Sequence, residues 1–193
     1  MISSPGRDDW QRPGAVIDAL GIRPGERIAD LGAGNGYFTI HLARATGPTG
    51  IAYAVDTDED MLDSVELAAA RTGLANIRPI RGEAAGPFLP ERVDLAFLCN
   101  VFHHLPDQRT YFTALESHLA PGARVAIVEA LPGGLAARLF GHVTPPDQIR
   151  DKMEAAGYRL ENAPDLLTGK ARQSFHVFVR AQATAKPTLA GRE

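Results

Sequence analysis

Residues 28–40 read I-A-D-L-G-A-G-N-G-Y-F-T-I, and this run constrains the fold more than any other. Ile28, Ala29 and Leu31 suit a buried strand. Gly32, Gly34 and Gly36 then fall at alternate positions, and Tyr37, Phe38, Ile40, His41 and Leu42 resume at helical spacing. A strand that turns through glycines into a helix brings backbone N–H groups and a positive helix end to one point. Asp30 stands where the strand opens into the turn. A carboxylate there suits a hydroxyl-bearing or cationic ligand better than a phosphate.

The rest of the chain repeats the strand–helix alternation. Arg12–Leu20 reads as a short helix, with Pro13 tolerable in its first turn. Strands are expected at Glu26–Leu31, Ile51–Val55, Asn76–Ile80, Val93–Cys99 and Ala123–Glu129. Helices are expected at Asn35–Thr46, at Asp58–Thr72, and from a cap at Asp107 to about Leu119. Thr144-Pro145-Pro146-Asp147 resembles a capping box opening a helix to Ala156. Tyr158–Asn162 and Gln173–Arg180 read as a closing antiparallel hairpin. Apolar strands alternating with helices imply an α/β fold, a mainly parallel sheet covered on both faces. Two segments read as irregular: Glu83–Arg92, and the glycine-rich Leu131–Val143, a candidate lid. Residues 1–180 are expected to form a single domain, and 181–193, which lack periodicity, a flexible tail.

The 193 residues carry 20 Lys+Arg against 23 Asp+Glu, a net charge of −3 without a basic block, so no nucleic-acid partner is expected. One cysteine, Cys99, excludes an internal disulfide, and no metal-spaced Cys/His cluster is present. With no apolar signal core and no run of membrane-spanning length, a cytoplasmic protein is expected, without membrane contact. Composition leaves the oligomeric state open.

Spacing narrows the ligand. The dinucleotide fingerprint is G-x-G-x-x-G, whereas here the third glycine comes one position early and Tyr37 fills the last position. No G-x-x-x-x-G-K-[ST] phosphate loop occurs. Asp56 ends the second strand 20 residues after Gly36. In a doubly wound sheet the ends of the first two strands are neighbours, and a carboxylate there can accept hydrogen bonds from both ribose hydroxyls.

With these residues in place, the chain resembles the class I S-adenosylmethionine-dependent methyltransferases. D-L-G-A-G-N-G matches that superfamily's first motif, and A-V-D-T-D-E-D-M-L at 54–62 its ribose-binding strand end. R-G-E-A at 81–84 falls where G-D-A is common. L-C-N-V-F-H-H-L-P-D at 98–107 and L-A-P-G-A-R-V-A-I-V-E-A at 119–130 match the fourth- and fifth-strand motifs. The resemblance covers roughly residues 10–180. It implies a three-layer αβα Rossmann-like sandwich whose seven strands lie in the order 3-2-1-4-5-7-6, the last antiparallel. It also implies methyl transfer from S-adenosyl-L-methionine, leaving S-adenosyl-L-homocysteine, to a small-molecule acceptor without a metal.

The same resemblance assigns residues. Asp30 approaches the cofactor's methionine ammonium, while Gly32, Gly34 and Gly36 let the backbone lie against it. Asp56 binds ribose, Thr57 and Met61 border the adenine, Glu83 sits near the adenine amine in place of the commoner Asp, and Asn100 meets the methionine moiety. His103 and His104 are the catalytic candidates, in no clear order; Glu129 and His142 are further pocket candidates, and Trp10 and Tyr37 candidates to close the site. A sulfonium methyl is already electrophilic, so positioning and desolvation can supply much of the acceleration. N-V-F-H stands where many amino-methylating nucleic-acid enzymes carry N-P-P-[FY]. Two alternatives remain at this level: an NAD(P)-dependent oxidoreductase, and an S-adenosylmethionine-binding protein without transfer activity.

Overall fold

A computed structural model describes residues 6–131, 143–167 and 172–181. Seven strands form one sheet: β1 (Arg27–Leu31), β2 (Ile51–Asp56), β3 (Ile77–Arg81), β4 (Val93–Cys99), β5 (Leu119–Ala130), β6 (Tyr158–Asn162) and β7 (Gln173–Arg180). Their spatial order is β3-β2-β1-β4-β5-β7-β6, as the resemblance implied. All neighbouring pairs are parallel except those of β7, which runs antiparallel to both β5 and β6.

Helices α2 (Pro13–Leu20), α3 (Tyr37–Thr46) and α4 (Glu59–Thr72) cover one face, and α5 (Gln108–Leu115) and α6 (Pro146–Ala155) the other. Alternation along each central strand feeds both layers. Ile28, Leu95 and Phe97 pack with Val16, Phe38 and Leu42 on the first face. Ala29, Leu31, Ala96 and Leu98 pack with Tyr111, Phe112 and Ile149 on the second. β7 does the same, sending Phe175 and Val177 to one layer and Phe178 to the other. Asp30 pairs with Ala54 on one side and Phe97 on the other, so β1, β2 and β4 end together at one rim of the sheet.

Several boundaries differ from the sequence expectation. α3 starts at Tyr37 rather than Asn35, because Gly34 and Gly36 both hold positive φ. α5 stops at Leu115, a 3₁₀ turn covers Glu116–His118, and Leu119 opens β5 by pairing with Val93. The register then slips between Val93 and Leu95, which takes up Pro121-Gly122 inside the strand instead of in a preceding turn. Thr144-Pro145-Pro146-Asp147 is not a capping box. The helix begins one residue later, with Pro145 at the cap, no side-chain cap bond, and Pro146 at the first helical position, where its fixed φ suits the helix. A further short helix, α1 (Arg7–Gln11), precedes the expected α2. The candidate lid lies outside the described residues except at its ends, Leu131 and Val143, and the expected tail lies outside them beyond Ala181.

Candidate active site

The three glycines of the turn have three different reasons to be glycine. A Cβ on Gly32 would sit 2.4 Å from Val101 Cγ2, at φ +74, so this position admits the chain that follows β4. A Cβ on Gly36 would meet Val65 at 3.1 Å, which sets how closely α3 lies on α4. Gly34, at φ +53, has nothing within 4 Å of the position a Cβ would take: that side of the turn faces open space. The turn is pinned to β2, with Gly32 and Ala33 N–H both donating to Val55 O, at 2.8 and 3.0 Å. Gly34 N–H donates to Asp56 Oδ2 at 2.7 Å, and Asp58 N–H to Asp56 Oδ1 at 3.1 Å. Asp56 thus shapes the turn as well as facing the cleft. A carboxylate has about four acceptor sites, so it keeps capacity for two hydroxyls.

Two clefts meet across this turn. The larger, about 370 Å³, is lined by Gly32, Asp56, Thr57, Glu83, Leu105 and Tyr111, among others. The smaller, about 210 Å³, is lined by Arg7, Asp30, Gly34, Tyr37, Cys99 and Asn100, among others. Gly32, Val101 and His104 line both. The structure therefore brings Asp56, Thr57 and Glu83 together at one end and Asp30 and Asn100 at the other. Gly36 lines neither, in keeping with its packing role, and neither do Met61 and Trp10. His142 lies outside the described residues. Another cavity, about 590 Å³ beside Arg44, Gly73 and Asn76, is lined by none of the expected residues.

Asp30 is 2 % exposed and accepts a 2.6 Å hydrogen bond from Thr39 Oγ1. Burial, with a contribution from the charge of Asp56, pushes its carboxyl up to about 7, while Thr39 and the Arg7 guanidinium pull the other way. Asn100 adopts φ +56, a left-handed conformation that Asn tolerates better than most residues. Gln173 Nε2 donates to its Oδ1 at 3.0 Å, and Asn100 N–H donates to Val128 O at 2.8 Å. Gln11, fully buried, donates to Cys99 Sγ at 2.9 Å and to Gln173 Oε1 at 3.2 Å. Residues from α1, β4 and β7 thus form one buried polar network under the smaller cleft. Burial pushes the Cys99 thiol well above its ordinary range, so it is an inert member.

The two histidines separate. His103 Nδ1 lies 2.6 Å from Glu129 Oε1, both side chains being buried. Burial pushes the Glu129 carboxyl up to about 7, against backbone hydrogen bonds that favour its ionised form. His103 therefore braces the turn after β4 against the end of β5. His104 is exposed, its ring centroid 4.0 Å from that of His103, and it faces the junction of the clefts.

Sequence reasoning did not find α1, whose five residues are too short for periodicity, nor Arg7 and Asp8. Tyr37 does reach the site: its hydroxyl donates to Asp8 Oδ1 at 2.6 Å, and the Arg7 guanidinium carbon lies 3.8 Å from its ring centroid. Among the described residues, no group of three or more His, Cys, Asp or Glu is placed to hold a metal ion, and no helix is long and apolar enough to cross a membrane.

A seven-stranded sheet with its reversed strand set between β5 and β6, and a glycine turn flanked by two carboxylates, defines a Rossmann-like methyltransferase domain. A family profile described as "Methyltransferase domain" matches residues 28–122. That match covers a little under half of the chain and agrees with its resemblance to the class I S-adenosylmethionine-dependent methyltransferases. A demethylmenaquinone methyltransferase from Geobacillus sp. is 29% identical over 115 residues, covering 59% of this chain and 49% of that one. One from Staphylococcus aureus is 29% identical over 122 residues, covering 62% and 48%. The chain spans about half the length of these curated relatives. Among solved structures, an S-adenosylmethionine-dependent methyltransferase from Aquifex aeolicus superposes with TM-score 0.75 at 24% identity, over 91% of this chain and 92% of that one. Magnesium protoporphyrin IX methyltransferase from Synechocystis PCC 6803, with bound S-adenosylhomocysteine, superposes with TM-score 0.66 at 21% identity, over 90% and 84%. These two likenesses concern the fold.

Proposed function

We propose that the protein transfers the methyl group of S-adenosylmethionine to a small-molecule acceptor that enters beside His104. One observation carries this reading: two clefts, each with a carboxylate, join over a glycine turn whose middle glycine faces open space. The residues present suit the cofactor from end to end. Asp56 offers acceptor sites to the ribose, Glu83 stands at the rim for the adenine amine, and Leu105, Pro106 and Tyr111 supply apolar wall. Asp30 offers a buried carboxylate to an ammonium, and Asn100 lines the same cleft. Bound there, the cofactor would supply a sulfonium-activated methyl group.

The protein's own part is to hold, orient and exclude water. Gly34 leaves its side of the turn open to a ligand, since nothing lies within 4 Å of the position a Cβ would take. Val101 and Gly32 close the floor between the clefts. His104, at the junction, can orient an acceptor or take its proton when the reacting atom is a protonated oxygen or nitrogen. His103 and Glu129 hold the turn that carries it. The acceptors named for the relatives and structural neighbours, demethylmenaquinone and magnesium protoporphyrin IX, are small molecules, which supports the same class here. A cytoplasmic location belongs to this proposal, supported by a sequence with a single cysteine and hence no internal disulfide.

Calorimetry with S-adenosylhomocysteine, followed by transfer of labelled methyl from S-adenosylmethionine into a metabolite extract, tests the reading. Binding together with label in a small product is expected. Absence of binding would overturn it, and binding without any turnover would leave a non-catalytic cofactor-binding protein.

A further inference from the structure

The smaller cleft presents charges of both signs. Asp30 lines it on the β1 side, and Arg7 lines it from α1. The two are close enough for the guanidinium to bias the carboxylate. Arg7 is held by the face of its guanidinium and by one nitrogen. Its guanidinium lies over the Tyr37 ring, an orientation favoured by cation–π attraction, and its Nε donates to Gln11 Oε1 at 3.0 Å. Among the described residues neither terminal amino group has a hydrogen-bond or ion-pair partner. Those two groups form the fork that grips a carboxylate in bidentate fashion. α1 is itself anchored from beneath, by Tyr37 Oη to Asp8 and by Gln11 to Cys99 and Gln173. The arginine is thus held in place before any ligand arrives, which lowers the cost of ordering it on binding.

A site with a carboxylate on one wall and a pre-oriented guanidinium on the other is complementary to a zwitterion. We propose that Arg7 anchors the α-carboxylate of the cofactor's amino-acid end, opposite the ammonium site at Asp30, and that it makes the protein selective for cofactors retaining that carboxylate. This rests on reading the paired clefts as the S-adenosylmethionine site. Arg7 acts as a binding and positioning residue. Together Arg7 and Asp30 would fix the amino-acid end of the ligand at two points and so orient the rest of it in the paired clefts.

The test compares two ligands on intact protein. S-adenosylhomocysteine carries the amino-acid end; 5′-methylthioadenosine keeps the nucleoside and thioether and lacks it. Dissociation constants of both are measured by calorimetry for the wild type, Arg7→Leu and Arg7→Lys, with thermal unfolding as a fold check. Arg7→Leu is expected to weaken S-adenosylhomocysteine about 10- to 100-fold, the range for lost charge-assisted hydrogen bonds. 5′-Methylthioadenosine should bind within about two-fold of wild type, since it lacks the carboxylate that Arg7 is proposed to hold. Arg7→Lys, which keeps the charge and loses the fork, should fall between for the first ligand and leave the second unchanged. If Arg7→Leu fails to fold, the Arg7→Lys ratio decides. Equal weakening of both ligands would show a packing role for α1 and overturn the proposal, as would unchanged affinity for S-adenosylhomocysteine. Wild-type protein that binds neither ligand would instead overturn the cofactor reading itself.

Discussion

On the proposed function, the buried Asp30 should make cofactor affinity depend on pH. Its carboxyl is buried and held at about 7, whereas the ammonium it is assigned to meet requires an ionised partner. Binding must draw on the ionised fraction and expel a proton from the remainder. That fraction is about 3 % at pH 5.5 and about half at pH 7, so the apparent association constant should rise about 15-fold over this interval. Well below 7 the slope approaches about one decade per pH unit, with close to one proton released per site; near 7 it bends. Above that, α-amino groups begin to titrate at about 7.7–8, so the interval ends there. Calorimetry with S-adenosylhomocysteine, in buffers of differing protonation enthalpy, reads affinity and proton release together. Asp56 and Arg7 are the charged groups acting on Asp30. Glu129, held at about 7 by its own burial, titrates in the same interval, so Glu129→Gln is the control and should keep the slope. Asp30→Asn should remove it and weaken binding throughout. An affinity flat from pH 5.5 to 7, or a slope that survives Asp30→Asn, would refute the reasoning.

The glycine turn and its carboxylate partner give two further expectations. Gly32→Ala drives a Cβ to within 2.4 Å of Val101 at φ +74 and should lower stability by about 2–4 kcal/mol, the range for overpacking plus left-handed strain, read as a drop in the urea midpoint. Gly34→Ala meets no atom and should cost only about 1–2 kcal/mol for its positive φ, yet weaken S-adenosylhomocysteine more than about 10-fold; equal effects of the two variants on stability would contradict this division. Asp56→Asn keeps the size of the side chain and removes the charged acceptor for the ribose, so affinity should fall about 10-fold or more by calorimetry. The same substitution weakens the grip on Gly34 N–H, so protection of that amide from hydrogen exchange should fall too, and an unchanged exchange rate would show that the turn holds without it.

Burial also sets a cost that the site carries without its ligand. The folded protein keeps Asp30 protonated over an interval in which an unfolded carboxyl at 3.8 is ionised. The folded state therefore binds more protons there, and stability falls as pH rises from about 4 to 7. A shift of this size corresponds to a penalty on the order of 4 kcal/mol above neutrality. A carboxylate in that position is stabilised mainly by what binds to it.

Where the sequence signal is periodic or tied to glycine, it locates the structure well. The seven strands, the closing antiparallel hairpin and the placing of Asp30 and Asp56 at the ends of the first two strands follow from apolar runs and from glycine turns, whereas the strand order and the place of Asn100 come from the family resemblance. Signals that depend on distant partners stay hidden. His103 and Glu129 are 26 residues apart, and nothing in H-H-L distinguishes the braced histidine from the exposed one. Gln11 and Gln173 look like ordinary surface residues in the chain and are buried because they satisfy each other and their neighbours. The Thr144 motif misleads for a local reason: two prolines follow it, and the second is better suited to begin a helix than to sit inside one. Arg7 lies in a segment with no pattern at all, and only its place over Tyr37 reveals it.

The hydrogen bond between Gln11 and Gln173 joins positions 162 residues apart, and Gln173 also fixes Asn100. Protein synthesis delivers these residues in order. A nascent chain that has completed β1 through β5 already owns the glycine turn and both carboxylates, but Asn100 and α1 still lack their common partner. The polar network under the smaller cleft is finished only when β7 inserts between β5 and β6. On the proposed function, therefore, the chain is expected during translation to complete the Asp56 side of the cleft pair before the Asp30 and Asn100 side.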